Sequence, residues 1–92
     1  MGDNKITIKL AEMSPKMRQD AVVCATTAIG LYSKNSDIAK YIKETFNDMH
    51  GRPWQCIVGN AASSVTHVSN HYISLDWGDN LIILFKTYPK PT

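Results

Sequence analysis

The sequence predicts an α+β fold in which two helices pack on one face of an antiparallel sheet. Three observations carry this. Residues 15–50 repeat apolar side chains at three- and four-residue spacing, in two blocks separated by capping residues. Residues 4–10, and the chain after Pro53, instead alternate with period two or run apolar between turn signals. The resulting order is β-α-α-β-β-β-β, without internal repeats or low-complexity stretches.

In the first strand Ile6, Ile8 and Leu10 fall on one side and Lys5, Thr7 and Lys9 on the other, the pattern of a half-buried strand. Ser14-Pro15 then announces a helix. The serine hydroxyl accepts from a free N–H of the first turn, and proline at the first helical position gives up an N–H that has no partner there. Met17, Ala21, Cys24, Ala25, Ala28, Ile29 and Tyr32 make one apolar stripe, and Gly30 is expected to fray its end at about 1 kcal/mol relative to alanine. Asn35, Ser36 and Asp37 form a second capping cluster. Beyond it Ile38, Tyr41, Ile42, Phe46 and Met49 repeat the helical spacing, Gly51 is placed to close the helix, and Pro53 forbids more of it.

Trp54–Gly59 reads as a strand, and residues 63–68 as a weakly apolar one. Residues 71–77 alternate, with His71, Ile73, Leu75 and Trp77 opposite Tyr72, Ser74 and Asp76. Gly78-Asp79-Asn80 forms a hairpin turn into an apolar strand over residues 81–86. The tail, residues 87–92, carries two prolines and is expected to hang loose.

A chain of 92 residues with 43% apolar side chains makes one domain. Such a chain buries only about 60–65% of its unfolded surface, and small chains often gain stability by oligomerising. The net charge of +2 is mild and scattered, so neither nucleic acid nor a membrane surface is an expected partner. Cys24 and Cys56 each fall among apolar neighbours and read as buried free thiols of a reducing compartment. The N-terminus lacks a signal-peptide run. Gly2 is not followed by the Ser or Thr that myristoylation wants, since Ile6 stands there. These features point to an intracellular protein.

Catalytic and metal chemistry find little in the residues. His67 and His71 are four apart, enough to share a face of a strand, but Val68, Ser69 and Asn70 read as a turn between them and no third ligand follows at zinc spacing. Nothing marks Cys56 as the activated partner of either histidine, so the rival reading, a small Cys/His enzyme, lacks its nucleophile. No catalytic residue, metal or cofactor is expected. The polar strand over residues 63–68 admits two readings: an ordinary edge blunted by polar side chains, or an edge kept open so that a partner segment adds as a further strand.

At WQCIVG, residues 54–59, the sequence resembles the dynein light chain family, and the likeness extends along the chain. EMSPKMRQD (residues 12–20) and CAT (residues 24–26) are similar to the family's first helix, and DIAKYIKETF (residues 37–46) to its second. VTH (residues 65–67), His71 followed by an aromatic and Ile73, and IILFK (residues 82–86) complete a match over residues 3–86. The resemblance implies a strand-exchanged homodimer: the strand over residues 63–68 crosses into the partner's sheet, and two grooves form between that strand and the start of the other subunit's second helix. It further implies a non-catalytic hub adaptor of the dynein motor, cytoplasmic and microtubule-associated. Its partners would be a dynein intermediate chain and other proteins with short linear motifs.

Carried over position by position, the resemblance places Asn35, Ser36, Ser63, Ser64, Val65, Thr66, His67, Tyr72, Ser74 and Asp76 at the peptide. It places Lys43, Gln55, Ser64, Val65 and Thr66 at the dimer interface. Departures accompany the matches. The link at Asn60, Ala61 and Ala62 is one residue short and lacks the family's aromatic-glycine pair. Aromatics of the family are replaced by Ser64, Ser74 and Asp76, a Glu-Lys pair by Asn35-Ser36, and an interface histidine by Gln55. The scaffold is therefore expected to hold and its lining to differ, with Asp76 favouring peptides that carry Lys or Arg. A divergent light-chain-like dimer acting outside the motor is the alternative reading.

Overall fold

The Ser14 hydroxyl accepts a hydrogen bond from the Met17 N–H at 3.2 Å, and with Pro15 at the first helical position it starts α1, Pro15–Leu31, as the sequence predicts. The computed structural model describes residues 5–60 and 68–88. Among them the order is β1 (Ile6–Glu12), α1, α2 (Asn35–His50), β2 (Trp54–Gly59), β3 (Tyr72–Trp77) and β4 (Asn80–Lys86). α1 runs through Gly30 and closes at Tyr32, whose N–H bonds the Ala28 carbonyl at 3.0 Å.

Its buried residues, Ala21, Cys24, Ala25, Ala28 and Ile29, are mostly small, which lets α1 approach α2 closely. Asp20 adds a polar tie between the helices, accepting from His50 and Lys16, each at 3.0 Å. The cap of α2 differs from expectation. Lys34 is the cap residue, and its carbonyl receives the N–H groups of Asp37 and Ile38. No side chain of the Asn35–Ser36–Asp37 cluster closes the helix start. Gly51, at φ 75°, ends α2 in the left-handed region that glycine enters without strain.

The four described strands form one antiparallel sheet in the order β1-β3-β4-β2, so β1 and β2 are its edges. β3 and β4 are joined through Gly78 and Asp79, with Trp77 opposite Asn80 and Gly78 at φ 57°, a tight hairpin turn as read from the sequence. β1 departs from simple alternation. Its register against β3 shifts between Ile8 and Leu10, after which Leu10 pairs with Ser74 and Ala11 with Ile73. The shift turns Leu10 to the face of Ser74 and brings Ala11 to the core beside Ile6, while Ile8, ahead of the shift, is exposed as well. The predicted single apolar face of this strand is corrected accordingly.

α2 covers β2 and α1 packs beside α2. Ile38, Ile42 and Phe46 of α2 meet Trp54, Ile73, Leu75, Ile82 and Leu84 of the sheet in a closed core. The rings of Phe46 and Trp54 lie edge to face, 4.9 Å apart. Thr87, the first residue of the tail expected to hang loose, is tied back by its N–H to the Pro53 carbonyl at 3.0 Å, and residues 89–92 of that tail lie outside the described residues. The predicted strand over residues 63–68, and its exchange into a partner, lie outside the described residues except for Val68. That residue donates its N–H to the Lys86 carbonyl at 2.8 Å and opens the turn at Ser69 and Asn70 that leads into β3.

Candidate strand-docking groove

In an antiparallel ladder each residue turns its N–H and C=O either to the neighbouring strand or away from it, alternately. Thr87 donates to the Pro53 carbonyl, and the register places Trp54 opposite Lys86. The residues of β2 bonded to β4 are therefore Gln55, Ile57 and Gly59, and those of Trp54, Cys56 and Val58 turn to the open side. Two observations agree with this parity. Lys86 sends its N–H to the His71 carbonyl on the far side of β4, and the Trp54 N–H is received by the Asn47 side chain of α2 at 2.8 Å. Asn47 thus closes the first outward N–H of the edge. The Trp54 carbonyl and both groups of Cys56 and Val58 remain without a neighbouring strand among the described residues.

Above this edge runs the flank of α2. A hollow of about 450 Å³ lies between them, lined by Ser36, Ala39, Lys40, Lys43 and Glu44 on the helix and Gln55 and Cys56 on the strand. Of the site residues expected from sequence, the fold brings Ser36, Lys43 and Gln55 together here, and places Asn35 at the start of the same helix. Ser63, Ser64, Val65, Thr66 and His67 lie outside the described residues. Tyr72, Ser74 and Asp76 stand elsewhere. They share the face of β3 that points away from the core residues Ile73 and Leu75, and β4 separates them from β2. Ser74 is only 3% exposed there.

Ala39, Lys40 and Glu44 were not singled out by the sequence reading, and Cys56 was read as a buried thiol rather than as part of a groove. The available signal was helical: positions 36, 39, 40 and 43 recur at three and four and share one face of α2.

The thiols are held in their protonated form. Burial raises the Cys24 thiol from 9.0 to about 11, although a hydrogen bond with Thr45 acts in the opposite direction. Burial pushes Cys56 up further, even though the residue as a whole is half-buried at the groove. Both are free, and a thiol so placed is a weak nucleophile. His71 sits beside Trp54, ring centroids 5.8 Å apart, with its Nδ1 2.7 Å from the Ser69 carbonyl. Among the described residues no group of His, Cys, Asp and Glu is arranged to hold a metal ion, and no helix is long and apolar enough to cross a membrane.

Two helices lie over an antiparallel sheet whose β2 edge, beside α2, has no further neighbour among the described residues, an arrangement that matches the dynein light chain fold. The profile of the family described as dynein light chain type 1 matches residues 5–87, and the chain belongs to that family. Among solved structures it is similar to the dynein light chain-like domain of the Fasciola hepatica calcium binding protein FhCaBP2. That match has a TM-score of 0.71 at 22% identity and covers 94% of each chain. The DLC-like domain of CsTAL3 is similar at a TM-score of 0.70 and 14% identity, covering 89% of this chain and 92% of that one. At these identities the likeness is one of fold.

Proposed function

We propose that the protein is a homodimeric, non-catalytic adaptor that captures extended segments of partner proteins by strand addition. The observation that carries this is the open β2 edge under α2, where Cys56 and Val58 present backbone groups beside a hollow lined by Ser36, Lys43 and Gln55. The crossing strand, residues 63–68 of a second subunit, takes the edge, and the partner segment adds beside it between that strand and α2. In this reading Asn35, Ser36, Ser63, Ser64, Val65, Thr66, His67, Tyr72, Ser74 and Asp76 meet the peptide, and Lys43, Gln55, Ser64, Val65 and Thr66 hold the dimer. A dynein intermediate chain is the expected motor partner, in the cytoplasm on microtubules. Sedimentation equilibrium at high micromolar concentration is to give the dimer mass, and a clean monomer contradicts the proposal. A peptide array then reads which extended segments bind, and an array without a single binder contradicts the adaptor role.

One observation favours a second reading. The two similar structures named above carry this domain in proteins whose descriptions do not name a motor, one of them a calcium binding protein. A dimer working outside the motor would bind array segments while failing to retain an intermediate-chain peptide.

A further inference from the structure

The chain enters β3 through a turn that is held at both ends. Val68 donates its N–H to the Lys86 carbonyl at 2.8 Å, and Lys86 sends its own N–H to the His71 carbonyl at 3.0 Å, so a single residue of β4 receives both limbs. Within the turn the His71 N–H bonds the Val68 carbonyl at 3.1 Å. Asn70 closes the bend at φ 63°, a left-handed conformation that asparagine enters more readily than most residues. The His71 side chain adds a further restraint. Its Nδ1 lies 2.7 Å from the Ser69 carbonyl, which can only accept, so that nitrogen carries a proton and donates it. The imidazole also rests against the ring of Trp54, which is fully buried.

The place of this turn in the sheet matters as much as its bonds. Val68 is held on the β3 side of β4, and β2 pairs with the other side. At about 4.8 Å per strand, the position beside the outward groups of β2 is roughly 14 Å from Val68. A strand that ends at Val68 therefore does not run along the β2 edge of its own protomer. In the proposed dimer it runs along that of a second copy, and Val68 is where it rejoins its own fold. A strand presented from a fixed root loses less conformational freedom on docking than one hung from a loose loop. In a twofold exchange the difference counts once for each subunit.

We propose that His71 is a positioning residue for strand exchange, bracing the 68–71 turn against Trp54 so that the crossing strand leaves its protomer in a fixed direction. This rests on the strand-exchange reading above and names the side chain that prepares it. The test compares dimer dissociation constants of the full chain, from sedimentation equilibrium, between the parent and three variants. His71→Ala removes the brace, and Asn70→Val opposes the left-handed bend without touching Trp54; each is to weaken dimerisation by about tenfold. His71→Asn, whose side-chain amide reaches the Ser69 carbonyl from the place of Nδ1, is to recover to within about threefold of the parent. The circular dichroism of the dilute protomer is to stay that of the parent in all three. Variants that dimerise as the parent does overturn the positioning role and leave strand exchange standing. So does a His71→Asn variant as weak as His71→Ala with the protomer itself unfolding more easily, since His71 then only packs on Trp54. A parent that stays monomeric at high micromolar concentration overturns strand exchange, and the inference with it.

Discussion

Single residues of β2 and its neighbours do separable work. Asn47 is the clearest, because its side-chain oxygen takes the one outward N–H of β2 that lies beneath α2. In Asn47→Ala that half-buried N–H loses its acceptor, and the variant is to be less stable by about 1–2 kcal/mol in urea melts. An Asn47→Asp variant, which keeps an acceptor, is to lose less. Cys24 gives the alkaline side of stability. Its thiol ionises near 9.0 in the unfolded chain and only at about 11 in the fold, so the folded state binds the proton more tightly. That contribution is complete below about pH 9 and is lost as pH rises towards 11. The fall in urea midpoint between about pH 8 and 10.5 is therefore to be smaller in Cys24→Ala than in the parent. Gln55 bears on acid. A buried histidine at an interface dissociates a dimer when it is protonated, and Gln55 does not titrate. The dimer is expected to persist at about pH 5–6. A dissociation midpoint in that range that survives replacement of both His67 and His71 by Gln would contradict this.

Among the elements, α2 unites the core and the groove. Ile38, Ile42 and Phe46 face the sheet, and Ser36, Ala39, Lys40 and Lys43 face the open edge. Phe46→Ala is to cost about 3–5 kcal/mol, since the ring is fully buried against Trp54. Lys40→Gln is to change stability by less than about 0.5 kcal/mol. Equal losses in the two variants would break this division of faces. The helices were legible in the sequence because their caps and stripes are local, as Ser14, Pro15 and Gly51 illustrate. The bulge that turns Leu10 out and Ala11 in was not, because it arises from pairing with β3, and a period-two pattern carries no record of a register shift. Lys34 was missed as the cap for a similar reason, since its backbone carbonyl does the capping and leaves no mark on side-chain type. In the groove, Ser36, Lys43 and Gln55 came from the family resemblance. Lys40 was hidden because a lysine on a helix reads as solvated surface until the strand beneath it is placed.

At the scale of the whole molecule, the β2 edge beside α2 has no neighbouring strand among the described residues, and in the proposed dimer a second chain completes it. An uncovered edge is an aggregation hazard that small proteins seldom leave without protection. Here the edge lies under α2, with its first N–H already closed by Asn47. In the proposed dimer, Ser64, Ser74 and Asp76 stand where the family resemblance implies aromatic walls. A Thr-Gln-Thr-type peptide is thus expected to bind roughly 30- to 150-fold more weakly than to members that keep them, for a loss of about 2–3 kcal/mol. Calorimetry showing ordinary family affinity would refute that expectation.

Residue-resolved amide hydrogen exchange reads the outward side of β2 directly. Gln55 and Ile57 bond β4 within the protomer, and Cys56 and Val58 point outwards. At high micromolar concentration all four amides are to exchange slowly. On dilution below the dimerisation range, Cys56 and Val58 are to lose protection while Gln55 and Ile57 keep it. Cys56 and Val58 amides that exchange freely at every concentration would contradict the account.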